Sequence, residues 1–204
     1  MTIIGLIGLI GAGKSTVGKF MSTKGCDVID LDKISHDLYR KDTDAYNEIL
    51  SIWGVGILDE SLEIDRKKLA NIIFPVNDLS KSIAEGSSKL ESIIWPRLEL
   101  VIQKEISEKE EGSIKIIEGA LILKAGFDRY CDSIWLVDST VENIKKRNQL
   151  VTSSDFANRL DTLIPLYSEE AIQDRVDEII ENNSTKQNLY NNVKSLLERI
   201  RKGL

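Results

Sequence analysis

The sequence predicts an α/β fold: a five-stranded parallel sheet as the middle layer of a three-layer α/β/α sandwich. Three observations carry this. Short apolar runs without polar–apolar alternation, such as T-I-I-G-L-I at residues 2–7, suit strands buried on both faces. These runs alternate with segments of helical periodicity, the order expected of a doubly wound sheet. The first run also leads straight into a glycine-rich turn that opens a helix.

Each element follows in order. Residues 2–7 predict the first strand, broken by glycine at residue 8. Val17, Phe20 and Met21 share one face of a helix expected over residues 14–24, which Gly25 ends. Residues 26–30 predict the second strand. Helices are expected over 33–40, over 44–53 (Ala45, Ile49 and Ile52 on one side), over 65–74 and over 79–108, the last broken at Trp95-Pro96. Residues 114–118 and 133–138 predict strands three and four. Ser139-Thr-Val-Glu142 matches the S-x-x-E capping box and predicts a helix to about residue 150. Residues 176–181 predict the fifth strand. Ser184-Thr-Lys-Gln187 is a second capping box, opening a helix to about residue 202.

The chain has 204 residues, 42% of them hydrophobic and 29% charged, with one His and two Cys. That length suits one domain with an elaboration, and that composition excludes disorder as the main state. The formal net charge of −6 argues against a protein that coats nucleic acid, while leaving room for a local basic pocket around a phosphorylated small molecule. Cys26 and Cys131 are far apart and outside any C-x-x-C pair, so two reduced thiols and a cytoplasmic location are expected. The longest apolar run, residues 3–10, is far short of the roughly 20 residues that span a bilayer, and no basic segment precedes it; neither a membrane partner nor a signal peptide is expected.

Gly8-Leu9-Ile10-Gly11-Ala12-Gly13-Lys14-Ser15 fits the phosphate-loop pattern G-x-x-x-x-G-K-[ST], with a strand before it and a helix after. Glycines let backbone N–H groups turn inward around phosphate, and the helix N-terminus adds positive potential. Gly11, Ala12, Gly13, Lys14, Ser15 and Thr16 are therefore candidate nucleotide-binding residues. Lys14 would reach the outer phosphates, and the Ser15 hydroxyl would ligate Mg²⁺. Residues 1–26 hold Lys14, Lys19 and Lys24 and no carboxylate. No N-K-x-D tetrapeptide for guanine occurs, and the chain is too short for a large motor. A small-molecule kinase using ATP and Mg²⁺ fits.

Asp30-Leu31-Asp32 stands at the end of predicted strand two, where ligands bind in such sheets. Asp32 is the candidate catalytic base that would orient a substrate hydroxyl and accept its proton, with Asp30 as helix cap or supporting partner. Glu118 and Asp138 each end a strand, and either could hold a Mg²⁺-bound water. Because Asp138 precedes a capping box, helix capping is expected of it. His36, one turn beyond Asp32, could approach the substrate or be an ordinary packed residue. Trp95 could stack on a substrate group or pack at the edge of the helical region.

Together these residues resemble the dephospho-coenzyme A kinase family over nearly the whole chain. G-L-I-G-L-I-G-A-G-K-S-T from residue 5 resembles its phosphate loop. V-I-D-L-D-K-I at residues 28–34 resembles its V-I-D-A-D-x-I segment, whose second Asp, the catalytic base, falls on Asp32. I-D-R-K-K-L-A at 64–70 is similar to its I-D-R-x-x-L-A, placing Arg66, helped by Lys67, against the substrate. Lys146-Arg147 resembles its lid arginine region, Arg159-Leu160 its lid R-I pair, and D-E-I-I-E-N-N at 177–183 its adenine-side strand end.

The resemblance implies transfer of the ATP γ-phosphoryl group to the ribose 3′-hydroxyl of dephospho-coenzyme A, the last step of coenzyme A biosynthesis. Asp32, Lys14 and Arg147 would be catalytic, Arg147 and Asn183 would also contact the nucleotide, and Asp32, Arg66, Lys67 and Arg159 would contact the acceptor. It also implies a single kinase domain: a core of residues 1–32, 113–144 and 175–204, a coenzyme-A-binding helical insert of residues 33–112, and a lid of residues 145–174. The chain departs from the family at Trp95-Pro96 (His-Pro there), at residues 118–124 (E-G-A-L-I-L-K for D-V-P-L-L-F-E), at Arg147-Asn148 (R-D there) and at Leu163 (glutamine there). Two other readings remain open on the sequence: a related kinase with a nucleoside or nucleotide acceptor, and a non-catalytic ATP-binding regulator.

Overall fold

The computed structural model describes residues 1–73, 81–108, 111–148, 154–172 and 174–203, with the backbone alone described at 81–84, 154–155, 158–159 and 169. Strands β1 (Thr2–Ile7), β2 (Asp27–Asp30), β3 (Ile114–Glu118), β4 (Ser133–Asp138) and β5 (Glu178–Glu181) form one sheet in the order β2-β3-β1-β4-β5. Every pairing is parallel. All strand C-termini therefore lie along one edge, and the site is built there.

Successive side chains on a strand face opposite sides, and the strands use both sides. Ile3, Ile7, Ile117, Ile134 and Leu136 belong to one buried cluster, and Ile4, Leu6, Ile116, Trp135 and Val137 to another. The second cluster is closed by α1 (Lys14–Ser22) and α9 (Lys186–Arg201), through Val17, Met21, Leu189, Val193 and Leu197. Helices α2 (Leu31–Leu38), α3 (Asp44–Trp53), α4 (Arg66–Ile73) and α5 (Lys81–Ser107) close the first. After β4 come α6 (Val141–Arg147), α7 (Ser154–Leu163), a 3₁₀ turn (Ile164–Tyr167) and α8 (Glu169–Ile172). No described helix is long and apolar enough to cross a membrane.

Several expectations need correction. Helix α5 is unbroken, with Pro96 inside it. Proline deprives the Ser92 carbonyl of its usual donor, but both residues are exposed, so the carbonyl stays open to solvent. Ile93, Ile94, Leu98 and Ile102 hold the two halves against one core, and Arg97 Nη1 donates to the Ile93 carbonyl at 2.6 Å. Helix α2 starts at Leu31, earlier than its periodicity suggests, because the Asp30 carboxylate accepts the Lys33 N–H at 2.9 Å. Neither Asp138 nor Ser139 caps α6: Thr140 does, accepting the Asn143 N–H at 3.2 Å. Asp138 is still paired through its backbone to β5, accepting the Asn182 N–H at 2.8 Å. Thr185, one residue after Ser184, likewise caps α9.

Candidate active site

The loop after β1 turns into α1 at Gly13, whose φ of 112° a side chain would strain. A Cβ there would also lie 2.3 Å from Asn182 Nδ2, the atom that donates to the Ala12 carbonyl at 2.7 Å. The first turn of α1 carries neither a side-chain cap nor an acidic residue, so its N–H groups face the loop with positive potential. Lys14 is only 6% exposed, and its Nζ donates to the Gly8 and Leu9 carbonyls at 3.0 and 3.3 Å. These bonds fold the lysine back over the loop it serves.

Ser15 donates through Oγ to Glu118 Oε1 at 2.7 Å. Glu118 is buried at the end of β3, in register with Asp30 at the end of β2. Its approach to α1 depends on Gly18, where a Cβ would meet Glu118 Oε2 at 2.6 Å. Burial pushes the Glu118 carboxyl above the usual range, and the Asp30 and Asp32 charges add to this; the Ser15 hydrogen bond and the Lys14 charge oppose it. Of the two strand-end carboxylates left open by the sequence, Glu118 is the one at Ser15.

Asp30 and Asp32 divide as expected: Asp30 caps α2, and Asp32, in its first turn, lines a cavity of about 370 Å³. Lys14 lines the same cavity, as do Arg66 and Lys67 at the start of α4, where the Asp65 carboxylate accepts the Lys67 N–H at 2.8 Å. His36 and Trp95 also border it. At the loop after β3, Lys124 pairs with Glu91 of α5 and lies 5.7 Å from the Trp95 ring centre. The cavity thus has a basic wall, apolar sides, and one end at the phosphate loop.

Arg147 is not among the cavity's lining residues. Its guanidinium donates to the Asn182 carbonyl at 2.8 Å and to the Ser139 hydroxyl, beside the ends of β4 and β5. Asn183 Oδ1 accepts the Thr140 N–H at 2.9 Å and so joins the β5 end to the start of α6. Thr16 lies in the first turn of α1, half-buried. Arg159 falls on α7, but its side chain lies outside the described residues.

Two residues at the site escape sequence reasoning. Asn182 supports the loop at Ala12; alternation along β5 puts it on the side of buried Ile180, a signal that favours it over Asn183 as the inward residue. Tyr167 accepts the Gly8 N–H at 3.0 Å, a contact across 159 residues that no local pattern reveals.

Among the described residues there is no cluster of three or more His, Cys, Asp or Glu side chains that could hold a metal ion. The donor set instead fits Mg²⁺ arriving with a nucleotide, since that ion keeps several waters and takes one or two protein oxygens plus phosphates. Ser15 Oγ and the Glu118 carboxylate supply such oxygens.

The model of the family described as dephospho-CoA kinase matches residues 2–188. The dephospho-CoA kinase of Fusobacterium nucleatum is 36% identical over 201 residues, 97% of this chain and 98% of that protein. Among solved structures, TT1252 from Thermus thermophilus superposes with a TM-score of 0.75 at 23% identity, covering 98% of this chain and 97% of that one. The dephospho-CoA kinase from Campylobacter jejuni gives 0.65 at 24% identity, covering 98% of each.

Proposed function

The chain belongs to the dephospho-CoA kinase family, and from that premise we propose how its residues carry out the reaction. The protein transfers the γ-phosphoryl group of ATP to the ribose 3′-hydroxyl of dephospho-coenzyme A, giving coenzyme A and ADP. One observation carries the reading: Lys14 of the phosphate loop and Asp32 of α2 line one cavity, so donor and acceptor meet there.

The loop amides, the N-terminus of α1 and Lys14 hold the phosphates and stabilise the charge that spreads over the γ-phosphoryl oxygens. The acceptor 3′-oxygen bonds to the γ-phosphorus as the bond to the bridging oxygen breaks, and Asp32 takes the hydroxyl proton. Mg²⁺, when bound at Ser15 with Glu118 behind it, would neutralise charge on the β- and γ-phosphates. Arg66 and Lys67 bind the anionic acceptor from the basic wall. Arg147, with Asn183, serves the nucleotide from the β4–β5 side, and Arg159 serves the acceptor. The helical insert of residues 33–112 holds the acceptor against the core, and the lid of residues 145–174 closes over the site and excludes water.

The test is an assay that follows ADP release with Mg-ATP, with and without dephospho-coenzyme A, and identifies the product by mass. Acceptor-dependent turnover yielding coenzyme A is expected. Asp32→Asn should keep ATP affinity and lose turnover by about 10²–10⁴-fold, the usual worth of a positioned base. Turnover unchanged by that substitution removes Asp32 from its role, and turnover only with another acceptor overturns the substrate.

A further inference from the structure

Outside the phosphate loop, one side chain touches both halves of the site. Tyr167, last residue of the turn Ile164–Tyr167, accepts the Gly8 N–H at 3.0 Å and donates its own proton to the Ala120 carbonyl at 2.7 Å. Gly8 is where β1 becomes the phosphate loop. Ala120, just past β3, lines the acceptor cavity.

Strands β1 and β3 are paired up to Leu6 and Glu118, and the Gly119 N–H still reaches the Leu6 carbonyl at 3.2 Å. Beyond that the two chains part, one around phosphate and one along the acceptor. The Tyr167 hydroxyl bridges the gap as an inserted rung. Burial pushes its pKa far up, so the phenol keeps the proton it donates.

The residues just before Tyr167 form part of the acceptor wall: Thr162, Leu163 and Leu166 line the 370 Å³ cavity. Tyr167 itself lines a second cavity of about 470 Å³, with Leu9, Asp138 and Ile172. The 162–167 stretch is thus a partition between two spaces at the edge of the phosphate loop, and its fastening is a side chain at its end.

We propose that Tyr167 is a positioning residue for phosphoryl transfer: its hydroxyl fastens this partition to the phosphate loop and the acceptor wall, keeping water from the γ-phosphate. The proposal rests on the kinase reading above. Where the partition loosens, water replaces the acceptor: its oxygen bonds to the γ-phosphorus, the bond to the bridging oxygen breaks, and ADP, inorganic phosphate and a proton leave.

Tyr167→Phe keeps the ring and removes the hydroxyl. ADP released and coenzyme A formed are measured in one reaction, together with KM for each substrate and the thermal midpoint. The ratio of ADP released in excess of coenzyme A to coenzyme A formed is expected to rise about tenfold, the scale of one lost hydrogen bond. A lower midpoint with an unchanged ratio would mark Tyr167 as merely structural and overturn the proposal. Amide exchange at Gly8 in the unmodified protein supplies a readout that needs neither variant nor activity. A protected Gly8 N–H supports the tie, and exchange at the rate of an open amide overturns it. Unmodified protein that forms no coenzyme A overturns the acceptor assignment instead; acceptor-independent ADP release, compared between it and Tyr167→Phe, then decides the role of Tyr167.

Discussion

Glu118 is a buried carboxylate that accepts the Ser15 hydroxyl at the phosphate loop. Burial raises its pKa, with Asp30 and Asp32 adding to the shift. A carboxyl raised on folding stabilises the protein in its protonated form. That contribution is complete below the unfolded value of about 4.3 and is lost as pH rises through the folded value. At pH 7, above the unfolded value, ionising the carboxyl therefore works against folding, while Oε1 accepts the Ser15 hydroxyl. Glu118→Gln, which can still accept from Ser15, is expected to raise the thermal midpoint at pH 7, with the gain vanishing below about pH 4. Thermal unfolding in steps of pH checks this; a variant less stable than the parent at pH 7 contradicts it. Asp30 and Asp32 show the opposite division at the same scale. Two residues apart in sequence, one is spent on a helix cap and the other faces the cavity.

Helix α5 shows how packing overrides a local signal. Pro96 costs a helix interior about 3 kcal/mol, yet four buried apolar residues around it keep the helix continuous. Its own ring is exposed, so Pro96→Ala removes little packing and returns a donor to the Ser92 carbonyl. That substitution is expected to stabilise the protein by about 1–3 kcal/mol. Denaturant unfolding measures it, and a neutral or destabilising result would mean the turn is adapted to proline. The neighbouring α2 shows a local signal prevailing: one carboxylate, Asp30, sets its start, and Asp32 in its first turn lines the cavity.

At the scale of the molecule, two cores on opposite faces of one sheet leave a common edge where every strand ends. The phosphate loop and the cavity that Lys14 and Asp32 line sit on that edge, so a ligand bound there would tie both cores together. Mg-ATP at 100 times its Kd is expected to stabilise the protein by about 2.7 kcal/mol. For a chain of this length, that raises the thermal midpoint by about 5–10 °C. Lys14→Ala should abolish most of the shift, and an equal shift in that variant would place nucleotide binding elsewhere.

The sequence by itself determined the five strands, their parallel sheet, the phosphate loop and the family, because buried strands and phosphate loops are written in short, contiguous patterns. It also singled out Asp32, Arg66 and Lys67, which the fold brings to one cavity with Lys14. The tertiary structure alone decided that Glu118 and not Asp138 meets Ser15, that Asn182 supports the loop at Ala12, and that Tyr167 joins Gly8 to Ala120. Those contacts join residues from 47 to 170 positions apart. Local periodicity reports which face of an element is buried; which partner waits there depends on how the elements pack.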